Sequence, residues 1–320
     1  MKKKIKIGIV GLGNISKKHV QAINANKQFE LVGVCDTKKI NLKCNTYKNI
    51  DEMLRIQKNI ELISILSPSG LHFNHIKKSL KDGKNVVVEK PLCMNLNEFE
   101  KIQIYEKKYK KRVFAVYQNR LNPLVSIIKN KLKNKSLDKV FLFSSSLLWN
   151  RNDIYYQNSK WRGKRKEDGG VVMNQGIHNI DLFYYFFGKV KSVFLEKIKV
   201  KKYLECEDTA VISFQFINGI IGSFVISTAV NKENYSNSIE IFGIKNNIKI
   251  YGKNLDTLDF KKKITFFKDE KKLHHRFYKE VYSSIMQKKK NLFSTEKILH
   301  SMEIIQAINK SIKTGKKVTI

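Results

Sequence analysis

An apolar run, residues 4–10, ends in Gly11-Leu12-Gly13-Asn14-Ile15-Ser16, and this turn limits the fold more than any other stretch of the chain. A strand that breaks into paired glycines and leads into a helix (here running to about Asn26) is the opening of a dinucleotide-binding unit. Gly11 permits the tight turn. Gly13 lets the backbone approach a pyrophosphate at the helix N-terminus, where free N–H groups and the dipole favour anions. Ser16 stands where a third glycine is usual and is still small enough for close packing. Phe29 to Asp36 reads as the second strand, and its acid falls roughly twenty residues beyond Gly13, where a ribose-binding carboxylate is expected. Asp36 should favour NAD over NADP by repelling a 2′-phosphate, a preference tempered by the neighbouring Lys38 and Lys39.

The alternation continues through helix 51–57, strand 60–66, a helix ending at Gly83, strand 86–91, helix 97–110 and strand 113–117, the signature of a doubly wound parallel sheet. Within it, Asn85-Val86-Val87-Val88-Glu89-Lys90-Pro91 joins three β-branched residues, suited to a strand buried on both faces, to an acid, a lysine and a proline. Proline has no N–H and ends the strand, so Lys90 stands at its carboxyl end, where open α/β sheets hold ligands. Near residue 120 the rhythm changes. A helix at about 123–133 is followed by strands at 138–149, 190–200, 206–216, 220–229, 238–244 and 247–251, with two amphipathic helices near 272–288 and 294–313. The sequence therefore predicts an α/β chain of two domains. Residues 1–120 form a Rossmann domain, and residues 121–320 form an α/β domain with a large, mainly antiparallel open sheet.

Sixty-two basic against 28 acidic residues give a formal net charge of +34. Only seven of the basic residues are arginines, and the lysines run the whole length without forming a groove. No nucleic-acid motif accompanies them, so the charge reads as a solvated surface and no nucleic-acid partner is expected. Cys35, Cys44, Cys93 and Cys206 have neither Cys-x-x-Cys spacing nor histidines at zinc-binding spacing; no metal is expected, and reduced thiols fit the cytoplasm. Met1-Lys2-Lys3-Lys4 before an apolar run superficially suggests a leader, but Lys6 and the glycines interrupt it and no cleavage site appears. No segment approaches the length of a membrane span.

One segment of the second half stands apart: Asp168-Gly169-Gly170-Val171-Val172-Met173-Asn174-Gln175-Gly176-Ile177-His178-Asn179-Ile180-Asp181. On a regular helix Asn174, His178 and Asp181 form one polar stripe on an otherwise apolar rod. A solvated stripe would satisfy the pattern by itself. In a chain with a nucleotide turn and Lys90 at a strand end, it points to a site.

Together, Gly-x-Gly-x-x-Ser at 11–16, Glu-Lys-Pro at 89–91 and Asp-Gly-Gly…His-x-x-Asp at 168–181 resemble the Gfo/Idh/MocA family of sugar oxidoreductases. The resemblance spans the chain to about residue 250. It implies NAD as cofactor, Lys90 and His178 as the catalytic pair, and cofactor contacts from Gly11, Gly13, Asn14, Ile15, Asp36, Ser67, Pro68, His72, Glu89, Lys90 and Gln118. It also implies an open sheet that builds a homodimer or homotetramer.

Ser-Pro-Ser-Gly-Leu-His at 67–72, Gln118 to Pro123, and Trp149-x-Arg151…Tyr155-Tyr156…Trp161-Arg162-Gly163 further resemble the UDP-N-acetyl-2-amino-2-deoxyglucuronate dehydrogenase branch. That likeness implies a nucleotide-sugar substrate oxidised at its 3-hydroxyl, in the making of bacterial surface polysaccharide. Lys90, Arg120, Arg151, Tyr156, Trp161, Arg162, Asn174, Gln175 and His178 would contact the sugar, and 2-oxoglutarate is a candidate to reoxidise NADH. The acid usual in the family four residues before the histidine is Asn174 here. Other UDP-sugars, a free sugar or cyclitol, and a non-catalytic NAD-binding regulator remain alternatives, and Lys90 and His178 are each open as the base.

Overall fold

The computed structural model describes residues 3–38, 42, 44–265, 270–289 and 291–320. Met1 and Lys2 of the leader-like opening, and Lys39 beside the ribose acid, lie outside them.

In chain order, β1 (Ile5–Val10), α1 (Ser16–Ala25), β2 (Phe29–Cys35), β3 (Asn45–Tyr47), α2 (Ile50–Ile56), β4 (Leu62–Ile65), α3 (His72–Lys81), β5 (Asn85–Val88), α4 (Leu96–Tyr109) and β6 (Val113–Ala115) come first. Next are α5 (Pro123–Lys133), β7 (Val140–Leu148), α6 (Asp153–Gln157) and α7 (Ile177–Phe187). The remainder is β8 (Val190–Ile198), β9 (Thr209–Phe216), β10 (Ile221–Ser227), β11 (Ser236–Gly243), β12 (Asn247–Tyr251), β13 (Thr257–Phe260), β14 (Lys262–Thr265), α8 (Glu270–Gln287), α9 (Thr295–Thr314) and β15 (Val318–Thr319). The chain divides into two compact units, Met1–Gln118 with Asp269–Leu299, and Asn119–Lys268 with His300–Ile320.

The first unit holds a six-stranded parallel sheet in the order β3-β2-β1-β4-β5-β6. The order reverses between β1 and β4, and at such a switch the loops leaving two neighbouring strands part and open a crevice. Val86, Val87 and Val88 are fully buried, as a strand covered on both faces requires. Side-chain caps start two of its helices: Asn49 Oδ1 accepts the Glu52 N–H of α2, and Asn95 Oδ1 the Glu98 N–H of α4, both at 2.9 Å. α8 belongs here and not, as its place in the sequence suggests, with the second domain. It packs along α1, where Asn26 Nδ2 donates to the His275 carbonyl at 3.3 Å and the Tyr278 ring meets Phe29 edge-on at 5.6 Å.

The second unit is built on a nine-stranded sheet, β14-β13-β12-β11-β7-β10-β9-β8-β15. All neighbours are antiparallel except β7 and β10. One face carries α7: Phe143 of β7 stacks with Phe187 at 5.1 Å and packs at a tilt against Phe183 at 4.7 Å, and Phe224 of β10 meets Phe183 at 5.4 Å. Phe143 lies across Gly222, where any Cβ would come within 2.1 Å of its ring. The alternate residues of β9 and β10, Val211, Ile221 and Val225, are exposed. Among the described residues no helix is long and apolar enough to cross a membrane.

Candidate active site

The nucleotide turn obeys the expected physics. Gly11 has φ +93°, and a Cβ there would lie 2.8 Å from the Ser67 nitrogen, so the β1 and β4 loops can cross only at glycine. Gly13 is the opposite case: no atom lies within 4 Å of where its Cβ would be. That opening sits at the N-terminus of α1, whose first turn holds no acid, and Ser16 Oγ braces the turn by donating to the Gly13 carbonyl at 2.7 Å. Asn14 is exposed and Ile15 half-buried, at the start of the same helix. Asp36, half-exposed at the end of β2, accepts the Leu12 N–H at 2.6 Å through one oxygen and the Lys38 N–H at 2.8 Å through the other. The acid is thus oriented against the glycine turn. A pyrophosphate over Gly13 and a ribose beside Asp36 fit these residues.

Three residues expected to touch cofactor or substrate have buried protein partners. His72 is buried with Nδ1 2.7 Å from the Pro91 carbonyl oxygen and Nε2 2.8 Å from that of Ser67. It ties the β4 and β5 loops together and presents no ring nitrogen outward. Glu89 is turned inward, with Oε1 3.0 Å from His19 Nε2, and its other oxygen accepts the Lys90 N–H at 3.1 Å. Arg120 is locked to Asp181, Nε to Oδ2 at 2.8 Å and Nη2 to Oδ1 at 2.6 Å, with both side chains 2% exposed. In each case a nonlocal partner satisfies the group more fully than solvent at the crevice could. The rest of the expected set stays at the strand ends. Ser67 Oγ meets His75 Nδ1 at 2.9 Å, Pro68 is half-buried, and the buried Gln118 Oε1 has no hydrogen bond among the described residues.

In the second unit, the stripe expected on a regular helix is reshaped by a π-helical turn, Val172–Gly176, before α7. One extra residue in the turn rotates the residues before it relative to the helix after it, and such turns recur at functional sites. Asn174 is buried and donates from Nδ2 to Asp168 Oδ1, while Asp168 Oδ2 accepts the Gly163 N–H at 2.7 Å. Asp181 faces Arg120 and accepts from Ser301 Oγ at 2.7 Å. His178, in the first turn of α7, is the half-exposed member of the three.

Beside the π-helical turn stands an aromatic shelf that carries cations. The Arg162 guanidinium lies 4.0 Å from the Tyr155 ring centroid and 5.2 Å from that of Trp161; Arg151 lies 4.7 Å from Trp149 and 5.2 Å from Tyr155. The buried Nε atoms of Arg151 and Arg162 have no hydrogen-bond partner among the described residues. Gln175 Nε2 donates to the Tyr155 hydroxyl at 3.1 Å, and the Tyr156 and Thr228 hydroxyls meet at 3.0 Å. Burial pushes the Tyr156 phenol up to about 12, so it stays protonated.

Sequence reasoning left Trp149, Tyr155 and Asp168 without roles. The alternation of aromatic and arginine from 149 to 162 is the signal that could have assigned the first two. Asp168, Gly169 and Gly170 also have a structural reason. Both glycines hold positive φ, and a Cβ on Gly170 would come within 2.1 Å of the buried Glu207 carboxylate.

Residues 5–117 match the NAD-binding Rossmann fold of an oxidoreductase family, and residues 129–320 match the C-terminal alpha/beta domain of the same family. The chain belongs to the Gfo/Idh/MocA oxidoreductases. Its first unit is an NAD-binding Rossmann domain. The fold is similar to that of the WlbA dehydrogenase of Bordetella pertussis in complex with NADH and UDP-GlcNAcA, with 25% identity and a TM-score of 0.92 over all of this chain and 99% of the other. The Chromobacterium violaceum WlbA complex with the same two ligands gives 25% identity and a TM-score of 0.91 over all of this chain and 97% of that one. Among curated relatives, the glucose-6-phosphate 3-dehydrogenase of Bacillus subtilis is 26% identical over 264 residues, covering 77% of this chain and 74% of the relative.

Proposed function

We propose that this oxidoreductase removes hydride from a secondary hydroxyl of a UDP-linked uronate, the 3-hydroxyl of UDP-N-acetylglucosaminuronate, in surface-polysaccharide sugar synthesis. The observation that carries the reading is the pair Arg151 and Arg162, stacked on Trp149, Tyr155 and Trp161 with buried Nε donors unspent. Such a guanidinium pair suits a diphosphate or a carboxylate, which it can grip bidentately. The full-length likeness to two dehydrogenases bound to NADH and UDP-GlcNAcA supports it. Bound NAD supplies the hydride acceptor. His178 takes the hydroxyl proton, and Lys90 stabilises the developing alkoxide as a cation. Tyr156, Trp161, Asn174 and Gln175 shape the sugar pocket, while Arg120, bonded to Asp181, serves the fold. The exposed apolar residues of β9 and β10 support a homo-oligomer joined through the open sheet face.

A second reading comes from the 26% identical relative, named for the 3-hydroxyl of a sugar phosphate. In it the same two arginines hold a phosphomonoester. The test is NADH formation with UDP-GlcNAcA, UDP-GlcNAc and glucose 6-phosphate, each with and without 2-oxoglutarate. A desolvated Arg–carboxylate contact is worth about 2 kcal/mol, so the uronate should lead UDP-GlcNAc by at least tenfold in kcat/KM. Arg162→Gln should narrow that lead. Equal rates on the two UDP-sugars refute the clamp, and a preference for glucose 6-phosphate selects the second reading.

A further inference from the structure

The Glu-Lys-Pro acid sits in a buried cluster assembled from four elements of the first unit. Glu89 Oε1 lies 3.0 Å from His19 Nε2 of α1 and 3.8 Å from His274 Nε2 of α8. His19 Nδ1 meets the Tyr278 hydroxyl at 2.8 Å, and that hydroxyl meets Ser64 Oγ of β4 at 2.9 Å. His19, Tyr278 and Ser64 are fully buried, His274 is 2% exposed and Glu89 8%. One proton arrangement satisfies the chain: Ser64 donates to Tyr278, Tyr278 to His19 Nδ1, and a neutral His19 donates from Nε2 to ionised Glu89. Burial alone would raise the Glu89 carboxyl, but His19 and His274 outweigh it and hold it well below the usual range. Burial likewise pushes His19 down, which keeps it neutral. The other Glu89 oxygen accepts the Lys90 N–H.

We propose that Glu89 is a positioning residue for Lys90, and that His274 completes the catalytic strand end by fixing Glu89. This deepens the proposed function and rests on Lys90 being its catalytic cation. A carboxylate held on one oxygen by the His19 hydrogen bond, with His274 Nε2 packed 3.8 Å from the same atom, cannot swing freely, so the Lys90 amide bonded to its other oxygen is fixed with it. The last link comes from a helix far along the chain, which makes docking of α8 a condition for a competent strand end.

The test reads Lys90 itself, without substrate. NAD-bound protein is treated with N-hydroxysuccinimidyl acetate, and acylation rates are resolved by peptide mass spectrometry, with exposed Lys101 on α4 as internal reference. Glu89→Gln and His274→Leu should change the Lys90 rate at least fivefold and leave Lys101 unchanged. If Glu89→Gln does not fold, Tyr278→Phe removes only a hydroxyl and should move the Lys90 rate in the same direction. Turnover of UDP-GlcNAcA should fall at least tenfold in kcat in Glu89→Gln or His274→Leu, with KM for NAD retained.

An unchanged Lys90 rate in folded variants overturns the proposal. So does a stoichiometric metal in the native protein that Glu89→Gln loses, because the three ligand atoms, all within 4.8 Å of one another, would then be a metal site. A native enzyme inactive on every UDP-sugar defeats the substrate reading alone, since the acylation result still decides this one.

Discussion

The buried pair of Arg120 and Asp181 gives the sharpest test of how the second unit is held together. Asp181→Ala removes both acceptors of the Arg120 fork and the acceptor of Ser301 Oγ. It leaves a guanidinium in a site 2% exposed, where water cannot compensate it. Breaking such a pair by deleting one partner costs about 3–5 kcal/mol, against about 0–1 for an exposed pair. The two tryptophans, Trp149 and Trp161, both lie in this unit, so their fluorescence during urea unfolding reports it selectively. With a slope of about 2 kcal/mol per molar urea, the midpoint should fall by roughly 1.5–2.5 M. Arg120→Met with Asp181→Leu, which replaces the pair by apolar side chains, should recover most of the loss. A fall below roughly 0.5 M in Asp181→Ala would refute the reasoning. So would a double variant as stable as the native chain but unable to bind substrate, which would return Arg120 to the sugar site.

Gly11→Ala should lower stability by about 2 kcal/mol or more, because a Cβ at φ +93° meets the Ser67 backbone; Gly13→Ala should leave the melting temperature unchanged and weaken NAD, as scanning calorimetry and titration calorimetry can separate. Asp36→Ala should weaken NAD and bring the NAD and NADP dissociation constants closer; equal constants in the native protein would remove Asp36 from the ribose. Burial lowers His19 and His72 and takes His75 to about 4, so the folded chain binds fewer protons than the unfolded chain below the usual histidine value near 6.5. That share of the stability is complete above pH 6.5 and lost as pH falls toward 4, whereas burial raises Glu106 from 4.5 to about 7 and acts in the opposite sense; in a Glu106→Gln background urea midpoints should therefore be lower at pH 5 than at pH 7.5, and a flat profile there would contradict it.

The first unit was legible because its information is local. A glycine turn, an acid at the next strand end and a three-valine strand each announce themselves within a few residues, and the sheet order adds only what alternation implies. β3 was not legible: Asn45–Tyr47 is three residues of an edge strand with two exposed, too short for a period to show. β13 and β14, of four residues each, were missed for the same shortness, and Lys262–Thr265 is exposed throughout.

The protein partners of the expected site residues were illegible for another reason. Local pattern puts Glu89, His72 and Arg120 at the ends of elements, but nothing local says which way such a side chain turns. That choice belongs to groups distant in sequence: His19 and His274 for Glu89, two loop carbonyls for His72, and Asp181 for Arg120. Amphipathic helices hide the same information, because a periodic face shows that a helix buries a side and not against what. Hence α8 was expected with the second domain although its buried residues serve the first. The residues hardest to place from sequence are therefore those whose partners arrive last along the chain, as His274 does for Glu89.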